Sequence, residues 1–470
     1  MAARFVTVDR DTPLILPPDM REWVPENHLS QFVLEAVEEI DTTGVKINHR
    51  GSGSEQYPPG MLLALLIYSY CNGVFSSRAI ELATFDSVAT RVLCADTHPD
   101  HDTICTFRRK NGALLEKAFS SVLELAARIG VMKVGGVTVA IDGTKILANA
   151  SKHAAVSYEK AGEQMRELDL EIAALLKKAE EADSKPLEDG LTVSGEVARR
   201  EERKAKLKVA RAEMEARARA RAAAERVGYE AKNAEREARR KGGKAPRGRN
   251  PKEPDMKPGP KDQMNFTDSE SRIMPCRGKE GFEQAYNAQG GVETESRMIV
   301  TKRVCQASND KQELVEDVRK IDPVIESVAT ILIDSGFVSE AAINEVEQAR
   351  EGGGIVPEVI ASIKRERHHR SVADMEKKDE PSAPGIEASF TEKMAHRVGT
   401  KEGRKKYKQR QQTIEPVFGI IKEAMGFRRF SLRGLGKVAL EWTLVCVAYN
   451  LRRLHRLVAI KAQENTPSWA

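Results

Sequence analysis

The stretch from 155 to 241 constrains the fold more than any other part of the chain. "EKAGEQMRELDLEIAALLKKAEEA" and "VARREERKAKLKVARAEMEARARARAAAERVGYEAKNAEREARRK" are built almost wholly from Ala, Glu, Lys and Arg. Such residues lose little side-chain freedom in a helix, so both segments are expected to be helical. The first keeps an apolar stripe of Met165, Leu168, Leu170, Ile172 and Leu175, while the second has only a narrow seam. Neither is apolar enough to lie inside a core. Joined by "DSKPLEDGLTVSG", they are expected to form a protruding hairpin whose two ends return close together. A basic linker follows. From Arg239 to Lys261 nine Lys or Arg face two acids, which suits a solvated tether or a strap along phosphates.

The hairpin interrupts a strand-and-helix pattern. Before it, "VTVAI" in "GGVTVAIDGTKILANAS" is a β-branched apolar run, expected as a buried central strand ending at Asp142-Gly143. After it, residues 283–305 read as two strands around a turn at Glu293–Ser296. "NDKQELVEDVRKIDPVI" reads as a helix. "SVATILIDSGFVSEAAINEVEQA" reads as a buried strand ending at Asp334, then a helix capped near Ser339. "GIVPEVIAS" gives a last strand, and the polar residues 364–400 read as loop. The segment "YKQRQQTIEPVFGIIK" is helical but carries Pro416, expected to start a new helical segment or to kink a longer one. "LEWTLVCVAYNLRRLHRLVAI" closes the chain as an apolar helix. Three antiparallel strands followed by strand–helix alternation predict an α/β fold, a mixed sheet with helices on both faces.

Two carboxylates, Asp142 and Asp334, stand at the C-terminal ends of apolar strands, where ligand sites of open sheets gather. If those strands are parallel neighbours the two acids lie side by side, a like-charge contact that a cation relieves. Hard carboxylate oxygens suit Mg²⁺ or Mn²⁺. Glu415 offers a third carboxylate from a basic helix, and Lys422, seven residues on, shares its face. An Asp-Gly after a strand is often only a turn; the recurrence at two strand ends with a third acid carries the site. Tyr286, Asn287 and Gln289 are either ordinary strand positions or part of its lining. "HPDHD" (98–102) reads as a helix cap rather than a metal site, and His368-His369 as solvated loop.

Residues 1–130 read as a compact helical region. In "HPDHDTICTFRRKNGALLEKAF", Asp100 or Asp102 caps a helix with Ile104, Phe107 and Leu114 on one stripe. Arg108, Arg109 and Lys110 are expected to be exposed there. The arrangement is either a plain bundle or a helix-turn-helix that binds DNA. The net charge is only +5, yet 31% of residues are charged, so charge is used locally. The six cysteines are scattered without a CxxC pair, which argues against a zinc ribbon or a disulfide framework. No signal peptide is read at the start, and the longest apolar stretch, about ten residues, is too short to span a bilayer. A reduced, soluble, cytoplasmic protein is expected, with no membrane partner.

"AIDGTKILANASKH", "NFTDSESRIMP", "AYNAQGGVE", "LIDSGFVSE" and "YKQRQQTIEPVFGIIK", in that order, resemble successive blocks of the DDE transposases of bacterial insertion sequences, the 1182-like group in particular. "PPGMLLALLIYSYCNGVFSSRAIE" and "PDHDTICTFRRK" resemble the helical domain that precedes the catalytic one in that family. The resemblance implies a ribonuclease-H-like catalytic domain over 131–154 and 262–455. It also implies an all-α DNA-binding domain over 1–130, a helical insertion with basic linker over 155–261, and a tail over 456–470. It implies Asp142, Asp334 and Glu415 as a triad holding two Mg²⁺ or Mn²⁺ ions. The family's Tyr–Arg–Glu–Lys signature falls on Tyr407, Arg410, Glu415 and Lys422, with one more residue between arginine and glutamate than in the best-known version. Tyr407, Arg410, Lys422 and Lys145 would hold the DNA backbone, joined by Arg108, Arg109 and Lys110 from the helical domain. The implied reaction is cleavage at the element's terminal inverted repeats and strand transfer into target DNA, by a homodimer that pairs two ends. A nuclease of the same fold without strand transfer, or a non-catalytic DNA-binding relative, are the alternatives.

Overall fold

The computed structural model describes residues 19–45, 56–181, 192–243, 245, 249–275, 281–348, 357–363, 380–385 and 387–464. His368-His369, and Lys244 and Arg247 of the basic linker, lie outside these. The chain divides into two compact units. One is drawn from residues 1–144, 287–432 and 436–470, the other from 145–286 and 433–435.

Among the described residues the first unit opens with a 3-10 turn, Met20–Trp23, and six α-helices: α1 (Leu29–Glu38), α2 (Pro59–Cys71), α3 (Ser77–Asp86), α4 (Val88–Leu93), α5 (His101–Lys110) and α6 (Gly112–Ile129). Pro59 starts α2, where its missing N–H costs nothing. Leu62 to Cys71 are all buried, so α2 is a core helix apolar all round. Asp100 caps α5 by accepting from the Thr103 N–H. Gly130, at φ 74°, ends α6 in the left-handed conformation.

The sheet strands of this unit are β1 (Val137–Leu147), β5 (Phe282–Glu293), β6 (Ile299–Cys305), β7 (Val328–Ile333) and β8 (Glu358–Ala361). Their order is β6-β5-β1-β7-β8. β5 and β6 pair antiparallel, while β1 with β7 and β7 with β8 pair parallel, so the sheet is mixed. The Glu293 carboxylate ties the β5–β6 turn by accepting from the backbone N–H groups of Glu295 and Ser296 and from the Ser296 hydroxyl. Between β6 and β8 stand α9 (Leu314–Arg319) and α10 (Glu340–Glu347). After β8 come α11 (Phe390–Gly399), α12 (Lys401–Gly419) and α13 (Leu435–Glu464).

Three expectations are corrected, and at Pro416 one of the two alternatives is excluded. β1 does not end at Asp142-Gly143 but runs on to Leu147, so this Asp-Gly is strand rather than turn. The helix expected over 309–325 is only α9. Part of the expected loop over 364–400 is α11, started by a capping box between Ser389 and Glu392. Pro416 does not divide its helix: α12 is continuous through it, and a single π turn, Ile420–Ala424, follows.

Helices close on the sheet where β5 lacks side chains. A Cβ at Gly290 would lie 3.3 Å from the Phe418 ring of α12, and one at Gly291 2.4 Å from Thr301 Cγ2 of β6. From α13, Asn450 bonds both the N–H and the C=O of Ile299 at 2.8 Å, and the Trp442 indole donates to the Gln289 carbonyl at 3.0 Å.

In the second unit β2 (Ala155–Ser157) and β3 (Gln263–Asn265) pair antiparallel, and β4 (Arg272–Pro275) pairs with the first residues of β5. From the β2–β3 base rise α7 (Tyr158–Glu181) and α8 (Val193–Lys241). Their contacts run antiparallel: Tyr158 meets Arg211 and Glu215, Asp169 meets Lys204, and Glu171 meets Arg200. Leu168, Leu207, Ala210, Met214, Val156 and Met264 form a small core between helices and ladder. Beyond the seam that ends at Ala222, α8 is mostly exposed. No helix among the described residues is long and apolar enough to cross a membrane.

Arg108 is the fourth correction. Arg109 and Lys110 are exposed as expected, but Arg108 is only 3% exposed. Its Nη1 donates to the Tyr70 hydroxyl at 2.6 Å and the Phe75 carbonyl at 2.9 Å. Tyr70 in turn donates to the Glu441 carboxylate, which also accepts from the Ser431 and Leu432 N–H groups. Burial pushes the Glu441 carboxyl up, and Arg108 opposes that. Arg108 thus compensates a buried acid. Arg108→Ala would leave that acid unpaired and is expected to cost about 3–5 kcal/mol in urea unfolding, against roughly 0.5 kcal/mol or less for Arg109→Ala.

Candidate active site

The parallel register of β1 and β7 builds the site. Ala140 is opposite Leu332, so two residues further each strand brings Asp142 opposite Asp334. β7 has ended at Ile333, and the Asp334 carboxylate accepts from the Gly336 N–H at 2.8 Å. Asp142 Oδ1 accepts from the Gly143 N–H at 2.8 Å. Burial and then the Asp334 charge push the Asp142 carboxyl up to about 6; Arg410 opposes them.

Arg410 reaches the pair from α12. Tyr407, Arg410, Thr413, Ile414, Val417 and Phe418 are buried on that helix. Arg410 Nη1 lies 3.2 Å from Asp142 Oδ2, and Nη2 lies 3.6 Å from Glu415 Oε1. Its side chain is 9% exposed, and its guanidinium lies 6.0 Å from the centre of the Tyr407 ring. Five residues of helix set Glu415 about 140° around the axis from Arg410. That is why Glu415 is 57% exposed while Arg410 faces inward. Arg410, predicted as a DNA contact, is directed at carboxylates. Lys422 lies half-buried in the π turn. Lys145 lies on β1 in the second unit.

Of the three strand residues weighed as lining, Tyr286 belongs to the second unit and donates to Asp268 at 2.9 Å. Asn287 and Gln289 are buried, and each donates its amide to Asp310 Oδ1 at 2.6 Å. Sequence reasoning missed Asp310. It precedes α9 in an ordinary polar stretch, and only strand pairing brings it near Asp142.

Adjacent hard oxygens, with one carboxyl pushed toward neutrality by burial and then by the other's charge, fit a divalent cation, whose charge would relieve the repulsion. Among the described residues no three His, Cys, Asp or Glu side chains cluster tightly enough to hold an ion by themselves. Glu415 is linked to Asp142 through Arg410 rather than gathered with it.

Residues 376–455, spanning Tyr407, Arg410, Glu415 and Lys422, match the family model described as a transposase DDE domain. Residues 18–110, spanning α1 to α5, match that of a transposase domain, DUF772. No curated protein and no solved structure matches the chain. A transposase domain is thus recognised in each half of the chain; the two matches support a DDE transposase of an insertion sequence, for which DNA is the implied substrate class. Asp142 and Asp334 lie outside both matches, so their place in the site rests on the register.

The raised Asp142 carboxyl has a pH signature. Between about pH 4 and 6 the folded chain holds a proton that the unfolded chain has released, so stability falls as pH rises through that window. The loss is about 2–3 kcal/mol and persists above it. In chelator, Asp142→Asn is expected to unfold at higher urea than wild type at pH 8 and at the same urea at pH 4.

Proposed function

We propose that the chain is a transposase of the 1182-like group with a ribonuclease-H-like catalytic domain, cleaving DNA at the element's ends and joining the freed 3′ ends to target DNA. The observation that carries this is the register pairing of Asp142 with Asp334 beneath a helix bearing Arg410 and Glu415, in a chain with transposase matches at both ends. Asp142 and Asp334 would hold the divalent ions and Glu415 complete the set. Bound Mg²⁺ or Mn²⁺ would supply an activated water or 3′-hydroxyl and a stabilised leaving oxygen.

The chain's own groups do the rest. Asp142 must be ionised to serve, and Arg410 favours that form. Arg410 also fixes the Asp142 carboxylate and holds Glu415 near it. Lys422, half-buried in the π turn after α12, neutralises DNA phosphates, while Tyr407 is buried beside Arg410 on the same helix. The helices within 1–130, with Arg109 and Lys110 exposed, recognise the terminal repeats.

Asp142→Ala is expected to abolish Mg²⁺-dependent cleavage of DNA carrying the element's ends while the fold and end binding persist. Wild-type cleavage in that variant overturns the assignment. Cleavage without joining by the wild-type protein would make it a nuclease instead.

The α7–α8 hairpin is proposed to pair two subunits on two DNA ends. Replacing residues 160–238 by a short Gly/Ser linker is expected to leave single-end cleavage intact and to reduce paired-end joining, followed on gels with two-ended DNA. Normal paired-end joining would make the hairpin a tolerated insertion only.

A further inference from the structure

We propose that Asp310, together with the side-chain oxygens of Asn287 and Gln289, forms a further wall of the site beside Asp142 that accepts a hard divalent cation. The proposal rests on the metal-dependent reading above and adds residues that the DDE triad does not include.

One point in the fold gathers the groups. The position that a Cβ would take on Gly143, next to Asp142, lies 2.5 Å from Gln289 Nε2, 2.6 Å from Asp310 Oδ1 and 2.8 Å from Asn287 Oδ1. Three polar side chains from β5 and the loop before α9 therefore converge on the backbone of the residue beside the central carboxylate. Only glycine leaves that room. This is why the Asp-Gly pair is needed in the middle of a strand, where it makes no turn.

The amide orientations follow from Asp310. Asn287 Nδ2 and Gln289 Nε2 both donate to its Oδ1. Turning either amide over would set a carbonyl oxygen against a carboxylate oxygen. The two amide oxygens, Asn287 Oδ1 and Gln289 Oε1, are therefore fixed on the other side. Both are buried without a hydrogen-bond partner. The side chains are 0% and 1% exposed and, two residues apart on β5, share one face. Buried acceptors are almost always satisfied, and a pair left unsatisfied beside carboxylates suits a cation or the waters it carries. If Asp310 served only to hold two amides in a core, nothing would require both oxygens to lack donors. Its negative charge is also felt at Asp142, alongside that of Asp334.

The test uses the full-length chain and Mn²⁺ as the probe, with free Mn²⁺ read by electron paramagnetic resonance. Asp310→Asn keeps the volume and an oxygen that can accept from both amides, so a purely structural role predicts unchanged Mn²⁺ affinity. The proposal predicts affinity weakened by about tenfold or more, with unfolding in chelator near that of wild type. A second measurement needs no variant. Fe²⁺ bound in place of Mn²⁺ and treated with ascorbate and peroxide should cut the backbone near 142–143, 287–289 and 310. Unchanged affinity in Asp310→Asn, or cuts near 142 and 334 with none at 310, overturns this inference and leaves the proposed function standing. Absence of Mn²⁺ binding by the wild-type chain overturns both.

Discussion

Two like charges held at the same level of neighbouring parallel strands are the constraint that the rest of the first unit serves. The β1–β7 register directs Asp142 and Asp334 to the same level, because each acid lies two residues past the pair Ala140–Leu332. Such an arrangement opposes folding and survives only where surrounding burial outweighs it. The sheet supplies that burial: Val139, Ala140, Ile141, Ile331, Leu332 and Ile333 are all 0% exposed. Arg410 supplies part of the compensation in charge. Its helix is seated by the Phe418 ring over Gly290, so a missing side chain on β5 indirectly sets where the guanidinium arrives.

Arginine compensates several of the acids that this unit buries. Arg108 serves Glu441 through Tyr70. Arg303 on β6 bonds Asp317 at 2.8 Å and Glu313 at 2.6 Å, clamping α9 to the sheet. Arg410 serves Asp142 and Glu415. A planar guanidinium offers several donors and stays charged when buried, which an ammonium does less well. The Arg303 clamp has a local consequence. Asp310 lies only three residues before Glu313, and its carbonyl accepts from the Glu313 N–H at 3.1 Å, so the loop bearing Asp310 is anchored by the same ion pairs.

The sequence made legible what depends on local pattern. Apolar β-branched runs marked β1 and β7, the acids that follow those runs marked Asp142 and Asp334 as candidates, and composition marked the α7–α8 hairpin. What depends on pairing was hidden. Asp-Gly after "VTVAI" has the form of a turn, and only the structure has β1 continuing beyond it with Gly143 leaving room for Gln289, Asn287 and Asp310. Arg108, Arg109 and Lys110 form one basic cluster in the sequence. Which of them turns inward depends on Glu441, more than three hundred residues away. Pro416 left two alternatives open in the sequence, because a proline costs a helix one hydrogen bond without having to break it when tertiary packing holds both sides. Ile414, Val417 and Phe418 flank it, all buried.

The hairpin shows how a long insertion can be carried without disturbing such a register. The chain leaves β1 and returns into β5, its neighbour in the sheet order, so the inserted segment must begin and end in nearby places. The β2–β3 ladder closes that base, pairing Ala155–Ser157 with Gln263–Asn265. Val156 of β2 and Met264 of β3 join Leu168, Leu207 and Met214 in a core belonging to the insertion itself. The insertion thus buries its own apolar stripe. Length can then be added or lost beyond the ladder at little more than the entropy of closing a longer loop, which grows only with the logarithm of its length. The buried stripe of α8 ends at Ala222, and the helix continues to Lys241 with mostly exposed, largely charged residues. That exposed length adds nothing to the insertion's own core, which its helices close between Leu168 and Met214.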